Sequence, residues 1–234
     1  MLAPPSAESD LFSWFFRYPP ITRTYTGLVV LVAVLCHLGI LHPHQLYFAP
    51  NLAFGSLQLW RVFTCFLYFC PITIDFFFVL VFFVRYCQAL ETDFYRGKKA
   101  EMVAMMLLGG CVLLGAACVF RIAFLADPLA FMLLYIWSRR SRGTTMSLFW
   151  ILHFHAPLMP FILLGLSFLL REPFPMEKIL GILVGHLYYF AKDVYEQKHN
   201  TQLISTPKLL LTVFGEHGET DEEEHPQTAP TGDQ

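Results

Sequence analysis

The chain has 234 residues, of which 56% are hydrophobic and only 15% charged, with a formal net charge of -2. A soluble domain usually carries about 25% charged residues, so a water-soluble globule is excluded, and the charge gives no general attraction to nucleic acid. The 24 Phe cluster in runs such as Phe76-Phe77-Phe78. In lipid such runs must satisfy their own backbone, and continuous rather than alternating apolar stretches do so as helices.

The first residues lack a basic start, a short apolar run and a small-residue cleavage site. Leu11-Phe12 and Trp14-Phe15-Phe16 before Pro19-Pro20 predict a helix lying in the membrane interface. Span one is expected from Tyr25 to Leu41, an uncleaved anchor whose length of about 26 Å falls short of a ~30 Å hydrocarbon core. His42-Pro43-His44 ends it, and a turn-rich connection runs on to Trp60-Arg61, an aromatic and a cation suited to an interface. Phe63 to Cys70 is expected to dip into the interface before Pro71. Further spans are expected at Ile74–Ala89, Met102–Phe120, Ile122–Trp137, Met146–Leu170 and Phe174–Ala191. The tail from Thr206 is polar, and Glu216 to Glu224 is acidic and expected to be disordered. The pattern divides the chain into an interfacial segment at 1–23, a six-span domain at 24–195 and a tail at 196–234.

Charge placement orients this layout. With both termini in the cytosol, Arg61, Arg121, Arg171 and Lys178 lie outside, leaving 12 of the 16 Lys and Arg inside. The fold class is therefore an all-α polytopic membrane protein of six transmembrane helices with both termini cytosolic.

Several residues have types that carry chemistry. Gly181 and Gly185 form a Gly-x-x-x-Gly pair that lets helix backbones approach closely, and His186 follows at once. His186 suits packing or a catalytic base. Asp75 and Asp127 fall near membrane depth, where an isolated Asp costs ~2.5–3.5 kcal/mol, so they need water, a polar partner or an interface. Arg121 is a candidate partner for Asp127. Six cysteines, none in a Cys-x-x-Cys pair, read as small apolar groups. Of the two His-x-His pairs, His153/His155 is placed in a helix, where i and i+2 diverge, so no metal site or cofactor is expected.

The order of short motifs resembles the Derlin family of the rhomboid superfamily. These motifs include Thr22-Arg23 with Tyr25-Thr26, Gln45 to Phe48, Trp60-Arg61, Arg85-Tyr86-Cys87 with Leu90-Glu91, and Phe94 with Arg96-Gly97. They continue with Tyr135, Trp137 to Arg140, Phe154, Ala156-Pro157, Gly185 to Phe190 and Asp193-Val194. The resemblance covers about residues 12 to 210. It implies a rhomboid-like, multi-pass protein of the endoplasmic-reticulum membrane. Its implied role is to help move misfolded lumenal and membrane proteins to the cytosol for ubiquitin-dependent degradation. Implied partners are a membrane ubiquitin ligase complex, other Derlins as oligomer subunits, and the AAA ATPase valosin-containing protein. Several Derlins dock that ATPase through a Phe/Gly-rich tail. Gly215 to Gln234 has no Phe or Leu, so recruitment through an adaptor is expected. The resemblance assigns Trp60 and Arg61 to a lumenal loop anchor and Gly181 and Gly185 to packing of span six.

Rhomboid proteases pair a span-four Ser with a span-six His. Here His186 falls at the base's position, but Val119 to Trp137 contains no Ser or Thr, and the nucleophile's place falls near Ala126-Asp127. The span-two oxyanion donors align with Asp75 and Val79, and a carboxylate repels a developing oxyanion. A pseudoprotease is therefore expected. Two other readings are a peptidase using Ser167, in Gly165-Leu166-Ser167, with His186, and a small-solute transporter or channel built around the membrane Asp and His residues.

Overall fold

The computed structural model describes residues 16–148, 152–169, 174–199 and 207–215. The expected interfacial segment up to residue 15 and the acidic stretch from Glu216 lie outside the described residues. Helix α1 spans Pro20–His37. Proline suits a first turn, where its missing N–H costs no hydrogen bond. The helix begins earlier than the apolar run because the polar turn Ile21 to Thr24 finds partners elsewhere in the fold. It stops at Leu38, and Gly39 then takes a left-handed φ of 73°.

Between α1 and the next long helix, the chain makes short turns at Pro43–Leu46 and Asn51–Gly55 and a five-residue helix at Trp60–Thr64. Of the helix expected from Phe63 to Cys70, only Phe63 and Thr64 are helical, at the end of Trp60–Thr64. The N–H groups of Cys65, Phe66 and Leu67 bond back to Arg61, Phe63 and Thr64, while the carbonyls of Cys65 and Phe66 accept from other segments. The Cys65 carbonyl accepts from the Leu125 N–H at 2.9 Å, the Phe66 carbonyl from the Tyr25 hydroxyl, and the Phe48 N–H donates to the Ala123 carbonyl at 2.8 Å. Buried backbone groups need partners, and these exchanges supply them for carbonyls that a continuing helix would have used.

Helix α2, Ile74–Ala89, continues through a wide turn at Leu90–Phe94. Helix α3, Lys99–Phe120, ends where Arg121 adopts a left-handed φ of 54°. Helix α4 is Ala126–Arg140, not the segment from Ile122. Residues 121–125 are a turn, and Pro128 sits in the first helical turn, where proline is tolerated. Ten of the 15 residues of α4 are buried, among them Met132, Leu133, Tyr135 and Ile136, so this helix is the centre of the bundle.

The apolar run predicts span five from Met146 to Leu170. Strands β1, Thr145–Leu148, and β2, Leu152–His155, form an antiparallel pair instead, with Thr145 opposite His155 and Leu148 opposite Leu152. Leu152-His153-Phe154-His155 alternates apolar and polar, the period of a strand, which an averaged hydropathy hides. The His153/His155 pair thus lies on a strand, not a helix. Among the described residues no three ligand-type side chains gather to hold a metal. Helix α5 is only Met159–Leu169, about 16 Å long at 1.5 Å per residue. Helix α6, Met176–Tyr189, continues through a wide turn at Phe190–Tyr195 to a last turn at Glu196–His199, and α7 is Lys208–Phe214.

The architecture is mostly helical, with the short hairpin as the exception among the described residues. Large apolar side chains face outward on α1 (Leu28, Leu31, Val34), α2 (Phe77, Phe78, Val81) and α3 (Leu107, Val112, Val119). Such faces suit lipid and not water. By length and composition α1 and α3 can cross a bilayer.

Candidate functional site

Four helices deliver polar side chains to one cavity of about 390 Å³. Asp75 comes from the first turn of α2, Asp127 from the first turn of α4, Ser167 from the end of α5 and Lys178 from the start of α6. A carboxylate in a first turn is stabilised by the positive end of the helix dipole. The Lys178 ammonium donates to Ser167 Oγ at 2.6 Å, and Ser167 Oγ donates to the Leu163 carbonyl at 3.2 Å. The rest of the wall is apolar, including Val79, Phe82, Phe131 and Leu134. Phe78 also lines the cavity and is exposed, so the space reaches the outer surface of the bundle. Chemically the cavity offers both signs of charge and a hydroxyl inside an apolar groove.

Ser167 and His186 are not brought together. His186 Nδ1 lies 2.7 Å from the Tyr135 hydroxyl, which accepts from Arg139 Nε at 2.9 Å. That hydroxyl, already accepting from Arg139, has its own proton to give to Nδ1. His186 is exposed and does not line the cavity. The two histidine-serine partners assumed for a peptidase therefore belong to separate networks.

Gly181 and Gly185 face α4 at very short range. A Cβ on Gly181 would sit 2.3 Å from the Pro128 carbonyl oxygen and 2.8 Å from the Phe131 Cβ. On Gly185 it would sit 3.0 Å from both the Met132 carbonyl oxygen and the Tyr135 Cβ. This close seat fixes α6 against α4, whose first turns carry Lys178 and Asp127 to the same cavity.

Trp60 and Arg61 divide their work between surface and interior. Trp60 is 55% exposed, whereas Arg61 is 7% exposed. The Arg61 guanidinium donates to the carbonyls of His44 at 2.9 Å and Tyr47 at 3.1 Å, and to Gln58 Oε1 at 2.7 Å. It also lies over the Tyr47 ring at 4.9 Å. One cation thus ties three points of the connection between α1 and α2. The fork of a guanidinium suits several acceptors at fixed angles, which a lysine does not.

A buried carboxylate that no sequence motif singled out for a role does similar work at the opposite end of α1. Glu91, 4% exposed, accepts from the N–H groups of Ile21 at 2.9 Å and Thr22 at 2.8 Å and from the Thr22 hydroxyl at 2.8 Å. These N–H groups belong to the first turn of α1, which has no side-chain cap of its own.

Outward apolar faces, helices of spanning length and a polar-edged cavity between helices define a multi-helix membrane protein. The chain matches the Der1-like family over residues 18–208 and belongs to that family. It is 36% identical over 214 residues to Derlin-2.2 of Arabidopsis thaliana, covering 87% of each chain. It is 35% identical to Derlin-2 of Oryza sativa subsp. japonica, covering 87% of this chain and 86% of the relative. Its identity to a probable derlin-2 homolog of Dictyostelium discoideum is 33%, covering 86% and 82%.

Proposed function

We propose that this protein is a non-catalytic component of endoplasmic-reticulum-associated degradation that helps misfolded lumenal and membrane proteins return to the cytosol. The observation that carries the reading is the cavity, in which Asp75, Asp127, Ser167 and Lys178 meet inside an apolar wall open to the bundle surface. Such a groove gives polar parts of an unfolded segment a partner at a depth where lipid gives none. Family membership supports the role. The separation of Ser167 from His186, and a span-four region without Ser or Thr, support a pseudoprotease rather than a hydrolase.

In this reading six spans cross the membrane with both termini in the cytosol. Residues 1–23 lie at the interface, 24–195 form the membrane domain and 196–234 form a cytosolic tail. The cavity forms at the starts of α2, α4 and α6 and the end of α5, while Arg139, Arg140 and Lys192 lie at the opposite ends of α4 and α6. That polarity supports a lumenal cavity and a basic cytosolic face. A membrane ubiquitin ligase, other Derlins and the valosin-containing protein, reached through an adaptor, are the partners proposed for this role.

The short helices suggest how the barrier falls. At 1.5 Å per residue α4 is about 22 Å long and α5 about 16 Å, against a hydrocarbon core of about 30 Å. Short helices are met by local thinning of the bilayer, and a thinner core lowers the cost of passing polar backbone. Electron cryomicroscopy of the protein in a wide lipid disc should resolve headgroup layers that draw together beside α4 and α5. Layers of undisturbed spacing there would eliminate the thinning mechanism.

A client chase tests the role itself. Val79→Trp adds bulk to the cavity wall from α2 and leaves its four polar residues unsubstituted. In cells lacking the protein, the wild-type chain should restore degradation of a misfolded lumenal client, and Val79→Trp should slow it several-fold at equal expression. Normal degradation in the deleted cells would refute the role, and normal degradation with Val79→Trp would remove the cavity from it.

A further inference from the structure

At the opposite end of the bundle, a second cavity of about 950 Å³ is lined by six basic and four acidic side chains. It is bounded by the segment after α2, the end of α4 and the turn that continues α6. Two of the cations are neutralised where they stand. Arg140 bridges Asp193 at 3.0 Å and packs over the Tyr95 ring, and Lys192 pairs with Glu196 at 3.3 Å and lies 3.9 Å from Glu101. Burial pushes the Tyr95 hydroxyl above its usual range, against the pull of the Arg140 cation.

Arg139 and Arg142 are held differently. Arg139 Nε donates to the Tyr135 hydroxyl at 2.9 Å. Arg142 donates through one terminal nitrogen to the Tyr189 hydroxyl at 2.7 Å and through Nε to the Arg139 carbonyl at 3.2 Å. Each guanidinium also stacks near its tyrosine ring, at 5.1 Å and 5.6 Å. Hydroxyls and carbonyls orient a guanidinium without cancelling its charge. Among the described residues, no carboxylate pairs with Arg139 or Arg142. Arg96 and Lys98 line the same cavity and add two more positive charges, against which Asp93 is the remaining carboxylate.

We propose that this cavity is a binding site for a phosphomonoester, with Arg139 and Arg142 as its preset fork. The inference goes beyond the degradation role. Two oriented guanidiniums with terminal nitrogens to spare match the three oxygens of a phosphate monoester, and such charge-assisted bonds are roughly twice as strong as neutral ones. A choline phosphodiester, which carries its own cation, does not satisfy the excess charge. The position at the ends of α4 and α6 is the level of cytosolic headgroups in the six-span reading, where anionic lipids concentrate. A lipid headgroup and a soluble phosphate ester share this chemistry.

The test uses the purified full-length chain in detergent and calorimetric titration with three probes. These are dioctanoyl phosphatidylinositol monophosphate, dioctanoyl phosphatidylcholine and the free inositol bisphosphate headgroup. The phosphoinositide should bind saturably, and Arg139→Gln/Arg142→Gln should weaken it by about tenfold or more. Arg96→Gln/Lys98→Gln, which changes only an exposed turn, should weaken it by a smaller factor and serves if the first variant misfolds. Free headgroup binding as tightly as the lipid would assign the site to a soluble ester, and much weaker binding would assign it to lipid. Equal binding of phosphatidylcholine, or phosphoinositide binding unchanged in both variants, would overturn the site.

Discussion

Gly181→Ala should destabilise the protein by about 1–3 kcal/mol, the usual cost of overpacking, and more than Gly185→Ala or Gly109→Ala. The added Cβ would meet the Pro128 carbonyl oxygen at 2.3 Å and the Phe131 Cβ at 2.8 Å. Neither atom can rotate away, so α4 and α6 must part. At Gly185 the same atom meets its neighbours at 3.0 Å, and a shift of a few tenths of an ångström suffices. At Gly109 the contact is nominally closest, 2.2 Å, but its partner is the Met132 sulfur at the end of a flexible side chain. Buried Cys65 and Cys87 offer the readout, since a thiol reagent labels them only when the bundle opens. The temperature at which they become reactive should fall furthest for Gly181→Ala. Gly185→Leu should carry the effect into function, because its larger side chain presses on Met132 and Tyr135 and disturbs the hydroxyl that holds His186. Client degradation should stop in that variant. A Gly109→Ala protein opening at a lower temperature than Gly181→Ala would show that the α4–α6 seat does not govern stability.

What the sequence made legible and what it hid follow from the range of the forces involved. Helix α2 occupies the expected Ile74–Ala89, because an unbroken apolar run flanked by Pro71 and by charged residues leaves little choice. Helix α4 begins four residues later than expected, since hydropathy cannot see that Arg121 turns left-handed or that Leu125 bonds back to Cys65. The strand pair Thr145–Leu148 and Leu152–His155 is hidden for a related reason: its apolar content resembles a span, while its two-residue alternation does not. Asp75 and Asp127 could be marked singly as costly at membrane depth. Their sharing of a cavity with Lys178 and Ser167 depends on how α2, α4, α5 and α6 pack, and no local pattern records that. Lys178 and Ser167 were visible only as a flanking charge and a stray Gly-x-Ser. The signal that would have joined them is a polar residue near an end of each of several apolar helices.

Glu91→Ala should cost more than any other single change to a carboxylate among the described residues. Glu91 lies 70 residues from Ile21, so nothing in the local sequence announces the contact. One carboxyl oxygen accepts from the Ile21 N–H, and the other accepts from both the N–H and the hydroxyl of Thr22. Thr22 is fully buried. Removing the carboxylate strands these donors where water does not reach, and bonds to a charged acceptor are worth about 1.5–3 kcal/mol each. Glu91→Gln should be intermediate. Its single oxygen can replace one acceptor, but its amide nitrogen must then face an N–H, donor against donor. Thr22→Val removes only the hydroxyl bond and should cost about 1 kcal/mol. Because the same carboxylate anchors α1 to the end of α2, its loss should also free the amino-terminal end of the bundle while leaving the α4–α6 seat intact. Limited proteolysis should therefore cut first near Pro20 in Glu91→Ala, and Cys87, one turn before Glu91, should react with a thiol reagent sooner than Cys65. Equal reactivity of the two cysteines, with a thermal midpoint like the wild type, would mean that Glu91 is not the tether of the first helix.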